Sequence, residues 1–225
     1  MEAEPFTPPK AIILISGSGS NLQAFIDQVE NNELNINIVA VISNEPSAAG
    51  LERAKNANIE THAINHRDFS QRELFDLELI RTIEPYDAEI IVLAGFMRIL
   101  SADFVKRYQG KLLNIHPSLL PKYPGINTHQ RAIDNGDKLH GATVHFVVPE
   151  LDAGPSIIQA QVPILVNDTP KTLAARVQAQ EHIIYPIALK WFAEGRLKLQ
   201  DGKSQLDHVD LPKTGLVLDS PHTLH

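Results

Sequence analysis

Residues 11–15 read AIILI, apolar at every position, and run straight into SGSGS. A strand with no polar alternation is one covered on both faces, as in a parallel sheet flanked by helices. After the glycines, residues 21–30 carry Leu22, Phe25, Ile26 and Val29 at helical spacing. The unit is strand, glycine loop, helix, and the chain repeats it. Strand 36–42 (INIVAVI), helix 48–57, short strand 60–64 and helix 71–83 are followed by strands 88–94 (AEIIVLA) and 111–115. Such repeats need right-handed crossovers, so the expected fold is α/β: a doubly wound, mostly parallel, Rossmann-like sheet.

The pattern changes after a helical segment at 127–135. Strands 142–148 (ATVHFVV) and 156–162 alternate more and are joined by ELDAGP, which predicts an antiparallel addition in the C-terminal half. Residues 172–193 have a long helical pattern interrupted at Pro186, where a kink is expected. From residue 200 onward polar residues, glycine and proline dominate. A single domain over 10–200 with loosely packed termini, 1–9 and 201–225, is the expected organisation.

Bulk properties narrow the function. With 43% hydrophobic residues the chain can bury a sizeable core, and it has no apolar run near the ~18 residues of a membrane span. The net charge of −7 disfavours a general nucleic-acid or membrane-surface binder, which needs a basic face, but leaves room for one local anion site. The absence of cysteine removes disulfides and thiolate chemistry and fits a reducing compartment. The N-terminal MEAEPFTPPK lacks the basic start and apolar centre of a signal peptide. The expected location is the cytoplasm.

The loop at 16–21 lies beyond the carboxyl end of a strand and at a helix start, where α/β sheets place their ligands. Gly17 and Gly19 let backbone amides approach an anion, and Ser20 and Asn21 add caps or donors. With neither the third glycine of a dinucleotide fingerprint nor a Walker lysine, the loop suits a monophosphate ester. A tight turn with no ligand fits the same residues. Glu45 lies near the spacing of a ribose-binding acid but precedes Pro46.

Asn114 and His116, at i and i+2 of a strand, share one face, and Pro117 and Pro121 shape the loop that follows. An amide beside an imidazole supplies a donor for an oxyanion and an acid/base group. A histidine satisfied by backbone is the plainer alternative. Asp152, in ELDAGP, is the third candidate: beside His116 it would favour the imidazolium, or it is a turn aspartate bonded to its own backbone. Spacing alone does not join 152 to 116. His62 and His66 fall on a strand and the following loop, and His129, His140 and His145 show no metal-ligand pattern. Neither HExxH nor GxSxG occurs, which disfavours metal and serine-hydrolase chemistry. Gln178 and Glu181 lie at i, i+3 of the last helix, where they reach a sugar or stay solvated.

Taken together, ISGSGSNLQA, VLAGFMRILS, LLNIHPSLLPKYPG, HGATVHFV and the LDAGP turn resemble the phosphoribosylglycinamide formyltransferases, folate-dependent enzymes of purine synthesis. The likeness runs from about residue 10 to about residue 198. NIHPSLLP marks a wider group of formyl-folate enzymes, and the glycine loop with RVQAQEHIIYP narrows the acceptor. The resemblance implies transfer of formyl from 10-formyltetrahydrofolate, a cosubstrate, to the amine of glycinamide ribonucleotide, with no metal. It implies that the N-terminal half binds phosphate and the C-terminal half binds folate and carries catalysis. Gly19, Ser20 and Asn21 would hold the 5′-phosphate, and Gln178 and Glu181 the ribose and glycinamide. Met97, Arg98, Ile99 and Leu100 would line the pterin pocket through backbone groups, with Asn114 beside them and Arg72 toward the acidic tail. Asn114, His116 and Asp152 would be catalytic.

Partners would be these small molecules, with no nucleic acid or membrane, in a monomer or homodimer. Ala153 departs from relatives with glycine after the aspartate, and strain is expected if that position needs positive φ. The rivals are a formyltetrahydrofolate hydrolase, a tRNA formyltransferase and a non-catalytic phosphate- or nucleotide-binding module.

Overall fold

The computed structural model describes residues 7–219 and 223–224. β1 (Lys10–Ile15) leads through the glycine loop to α1 (Ser20–Glu30). β2 (Asn37–Ser43), α2 (Ala49–Asn56), β3 (Glu60–Ala63) and α3 (Arg72–Ile83) follow, then β4 (Ile90–Leu93), α4 (Ala102–Arg107) and β5 (Leu112–His116). These strands are parallel and ordered β5-β4-β1-β2-β3. The chain winds outward from β1 to β3, then returns to β4 on β1's other side. That reversal is a topological switch, and strand ends separate there to leave a crevice.

The apolar runs work as a two-sided strand should. Ala11, Ile13 and Ile15 face one core with α1 and the last helix, whereas Ile12 and Leu14 face a second core with Phe75, Leu79 and Phe104 of α3 and α4. After α5 (Thr128–Asp134), β6 (Leu139–Phe146) and β7 (Ser156–Pro163) extend the sheet antiparallel beside β5, the expected addition. α6 (Pro170–Ala193) closes one face.

Two expectations are corrected. α6 is one helix of 24 residues, and the helical pattern is not interrupted at Pro186. Proline removes one hydrogen bond to the preceding turn, but Ile184, Tyr185, Ala188 and Leu189 are fully buried on either side, and that packing outweighs the lost bond. Nor are residues 201–219 loosely packed. β8 (Leu197–Gln200), β9 (Lys203–Leu206) and β10 (Val209–Asp210) form a small antiparallel sheet, clasped by Arg196 and Asp207 through paired hydrogen bonds. β11 (Leu216–Asp219) then lies parallel to β7, with Leu218 buried, and β12 (Thr223–Leu224) pairs with it. Polar composition hid strands too short to show a period. The same expectation for residues 1–6, 220–222 and 225 lies outside the described residues. No helix among the described residues is long and apolar enough to cross a membrane.

Candidate active site

The glycine loop is shaped by a close approach. Gly19 has φ 69°, and a Cβ there would come within 2.7 Å of Gly50 Cα in α2. Only glycine suits both demands. The loop delivers Ser20 and Asn21 to the start of α1, against α6. There Gln178 Nε2 donates to Ser20 Oγ (2.9 Å) and Asn21 Nδ2 donates to Glu181 Oε2 (2.9 Å). The i, i+3 pair on α6 therefore shares a cavity of about 250 Å³ with Gly19, Ser20 and Asn21. Burial raises the pKa of the Glu181 carboxyl, against the opposing hydrogen bond from Asn21. Asn21 Oδ1 is buried with no hydrogen-bond partner among the described residues. A second cavity, of about 660 Å³, lies on the β2 side of the loop, where both Glu45 oxygens accept hydrogen bonds from Arg67.

On the other side of the switch, β5 pairs Asn114 with His145 and His116 with Thr143 of β6. Asn114 and His116 share a face, as expected. Asp152 arrives from the turn after β6, and its Oδ2 stands 3.4 Å from His116 Nδ1, with both side chains only 7% exposed. One loop braces the pair: Gly125 N donates to Asp152 Oδ2 (2.7 Å), and the Tyr123 carbonyl accepts from His116 Nε2 (2.8 Å). That loop is anchored by Tyr123 Oη donating to Asp137 and by Arg131 lying over the Tyr123 ring.

In the turn that carries Asp152 the condition for strain at Ala153 is not met. The left-handed residue is Asp152 itself (φ 52°), a conformation that aspartate tolerates better than most residues. Exposed Ala153 does not have positive φ, so alanine there introduces no such strain. The indispensable glycine is Gly154, where a Cβ would fall 1.7 Å from the Phe146 carbonyl oxygen.

His145 was missed as a site residue. Its Nδ1 lies 2.8 Å from the Phe146 carbonyl, Nε2 is 3.2 Å from Asn114 Nδ2, and Nε2 is 4.0 Å from Asp152. Burial pushes its pKa down to about 4, so the ring is neutral near pH 7. With the proton on Nδ1 for the carbonyl, Nε2 accepts from Asn114 and sets the direction of its amide. The alternation in ATVHFVV was the available signal, but cross-strand register is not readable from it. Four further histidines have partners of their own: His62 meets Tyr86, His66 meets Asn44, and His129 meets His140 at 3.1 Å.

Residues 97–100 form an irregular stretch after β4. Met97 and Ile99 are 74% and 55% exposed, Leu100 is buried, and the Arg98 guanidinium lies 5.0 Å from the centre of the Phe75 ring. Met97 N donates to Ser16 Oγ (2.7 Å), which ties this stretch to the end of β1. Arg72 opens α3, three residues before Phe75.

A family model described as formyl transferase matches residues 9–189. The phosphoribosylglycinamide formyltransferase of Escherichia coli (strain K12) is 53% identical over 208 residues, 92% of this chain and 98% of that protein. That of Haemophilus influenzae is 47% identical over 92% of this chain and 97% of its own length. The solved structure of the Coxiella burnetii phosphoribosylglycinamide formyltransferase matches with a TM-score of 0.89 at 51% identity, covering 93% of this chain and 99% of that one.

Proposed function

The chain belongs to the formyl transferase family, and we infer that it transfers formyl from 10-formyltetrahydrofolate to the primary amine of glycinamide ribonucleotide in purine synthesis. One observation carries the reading. Asn114, His116 and Asp152, supplied by two separate chain segments, converge on one end of the sheet that also holds the loop at 16–21.

In this mechanism the amides of Gly19, Ser20 and Asn21, at the positive end of α1, hold the 5′-phosphate. Gln178 and Glu181 meet the ribose and glycinamide. The backbone of Met97, Arg98, Ile99 and Leu100 receives the pterin beside Asn114, with Arg72 toward the folate's carboxylates. The ribonucleotide amine attacks the formyl carbon, and charge develops on the formyl oxygen. The Asn114 N–H not engaged with His145 and a protonated His116 stabilise that oxygen. His116 assists the proton movement that expels the folate nitrogen, and Asp152 supports the ring's positive charge. Both ring nitrogens face oxygen acceptors. To serve the formyl oxygen, Nε2 must therefore exchange the Tyr123 carbonyl for substrate, which makes the loop at 119–125 part of the binding step. Positioned acid/base groups contribute about a hundred- to ten-thousand-fold, and orientation of two bound substrates supplies much of the remainder. No step here calls for a metal. The reading assigns the protein small-molecule partners in the cytoplasm.

The deciding experiment supplies formyl folate with glycinamide ribonucleotide, with initiator tRNA, or with water alone. Consumption of formyl folate dependent on the ribonucleotide is expected. Equal consumption in water alone would make the chain a hydrolase, tRNA formylation would make it a tRNA formyltransferase, and no turnover with any acceptor would leave a binding module.

A further inference from the structure

The stretch that joins β4 to α4 has neither a ladder nor a helix to hold it. Side chains from other elements pin its backbone at two points. Ser16 Oγ accepts from Met97 N at 2.7 Å, and Asp76 Oδ2 accepts from Ser101 N at 2.6 Å. Asp76 belongs to α3 and is 2% exposed, and its Oδ1 is buried with no hydrogen-bond partner among the described residues. Burying a carboxylate that is only half satisfied is strongly unfavourable unless nearby groups compensate. Burial raises its pKa, while the Ser101 hydrogen bonds and the charges of Arg72 and Arg98 act the other way. Its helix is also the floor of the stretch: Phe75 lies under the Arg98 guanidinium and stacks with Phe96 at 6.5 Å. An apolar residue at 76 would suit that core at less electrostatic cost, but would leave the Ser101 amide unheld.

We propose that Asp76 is a positioning residue for the formyl donor: by holding the Ser101 amide it fixes the height of residues 97–100 against α3 and so sets folate affinity. This rests on the reading of residues 97–100 as the folate-binding stretch. Asp76 touches no substrate. Its effect passes through the backbone it holds, and the ribonucleotide end of the cleft, at Ser20, Asn21, Gln178 and Glu181, lies on other elements.

Three variants separate the hydrogen bond from the charge. Asp76→Ala removes the acceptor, Asp76→Asn keeps an oxygen at the same reach without the charge, and Asp76→Glu keeps the charge but displaces it by a methylene. Calorimetric titration with tetrahydrofolate is expected to show affinity about tenfold weaker for Asp76→Ala and recovered to within about threefold by Asp76→Asn. The KM for formyl folate should rise with it, while kcat and the KM for ribonucleotide stay within about twofold. If Asp76→Ala does not fold, the order of the other two decides, Asn binding folate better than Glu. Unchanged tetrahydrofolate affinity in Asp76→Ala, equal rises in both KM values, Glu outperforming Asn, or a parent that binds no tetrahydrofolate would each overturn the proposal. A parent that binds tetrahydrofolate but formylates no ribonucleotide refutes the proposed function alone, because the binding comparison still stands.

Discussion

Replacing Asp152 by asparagine keeps the shape of the side chain and deletes its charge. At the 3.4 Å that separates Oδ2 from His116 Nδ1, and at an effective dielectric of about 20, two unit charges attract by about 5 kcal/mol. The asparagine oxygen retains part of this as a dipole and still accepts from Gly125 N, so the loop at 123–125 keeps its brace. We therefore expect about 3 kcal/mol of lost support for a positively charged ring, which is roughly a hundredfold in kcat. The assay is single-turnover formyl transfer with both substrates saturating, alongside the KM for ribonucleotide and the Tm. Both of the latter should stay near the parent values, because the glycine loop and the core are untouched. A variant that transfers formyl within about fivefold of the parent rate would show that the carboxylate does not act through the ring's charge.

Gly154→Ala forces a methyl group into the Phe146 carbonyl. It should lower stability by about 1–3 kcal/mol and displace Asp152, with Tm and kcat falling together, whereas Ala153→Gly at the exposed neighbour should leave kcat unchanged. Retained activity in Gly154→Ala would mean that the turn relaxes without moving the carboxylate. Stability should also fall in acid. Burial pushes both His140 and His145 down to about 4 from 6.5. Below pH 6.5 the unfolded chain binds protons that the folded one refuses, so their contribution is complete above pH 6.5 and is lost as the pH falls through 4. Each shift corresponds to about 3 kcal/mol at most. A Tm that stays flat between pH 7 and 4.5 would remove these rings as the cause, and an equally steep curve in His140→Gln would remove His140 from it.

The core of the fold was legible because burial on two faces leaves an uninterrupted apolar run, and AIILI and IIVL have no other comfortable place. Strands at the C-terminal end were not legible. KSQL and LVLD are short, and their pairing partners, not their own pattern, make them strands. At the site, the face shared by Asn114 and His116 followed from strand period alone, and the distinctive segments around them resembled a known family. Asp76 was hidden in a helix whose charged and apolar residues alternate with little order. Only the Ser101 amide across the loop gives it a purpose.

Local periodicity and chain stiffness thus sufficed for which segments are strands, which are helices, and which side chains share one strand face, since these depend on neighbours a few residues away. Long-range register decided the rest. The meeting of Asp152 with His116, the His145 ring that aims the Asn114 amide, and the contact of Gln178 and Glu181 with the start of α1 all depend on how strands and helices distant in the chain settle against one another. That settlement minimises a free energy summed over the whole core, and no window of sequence contains it.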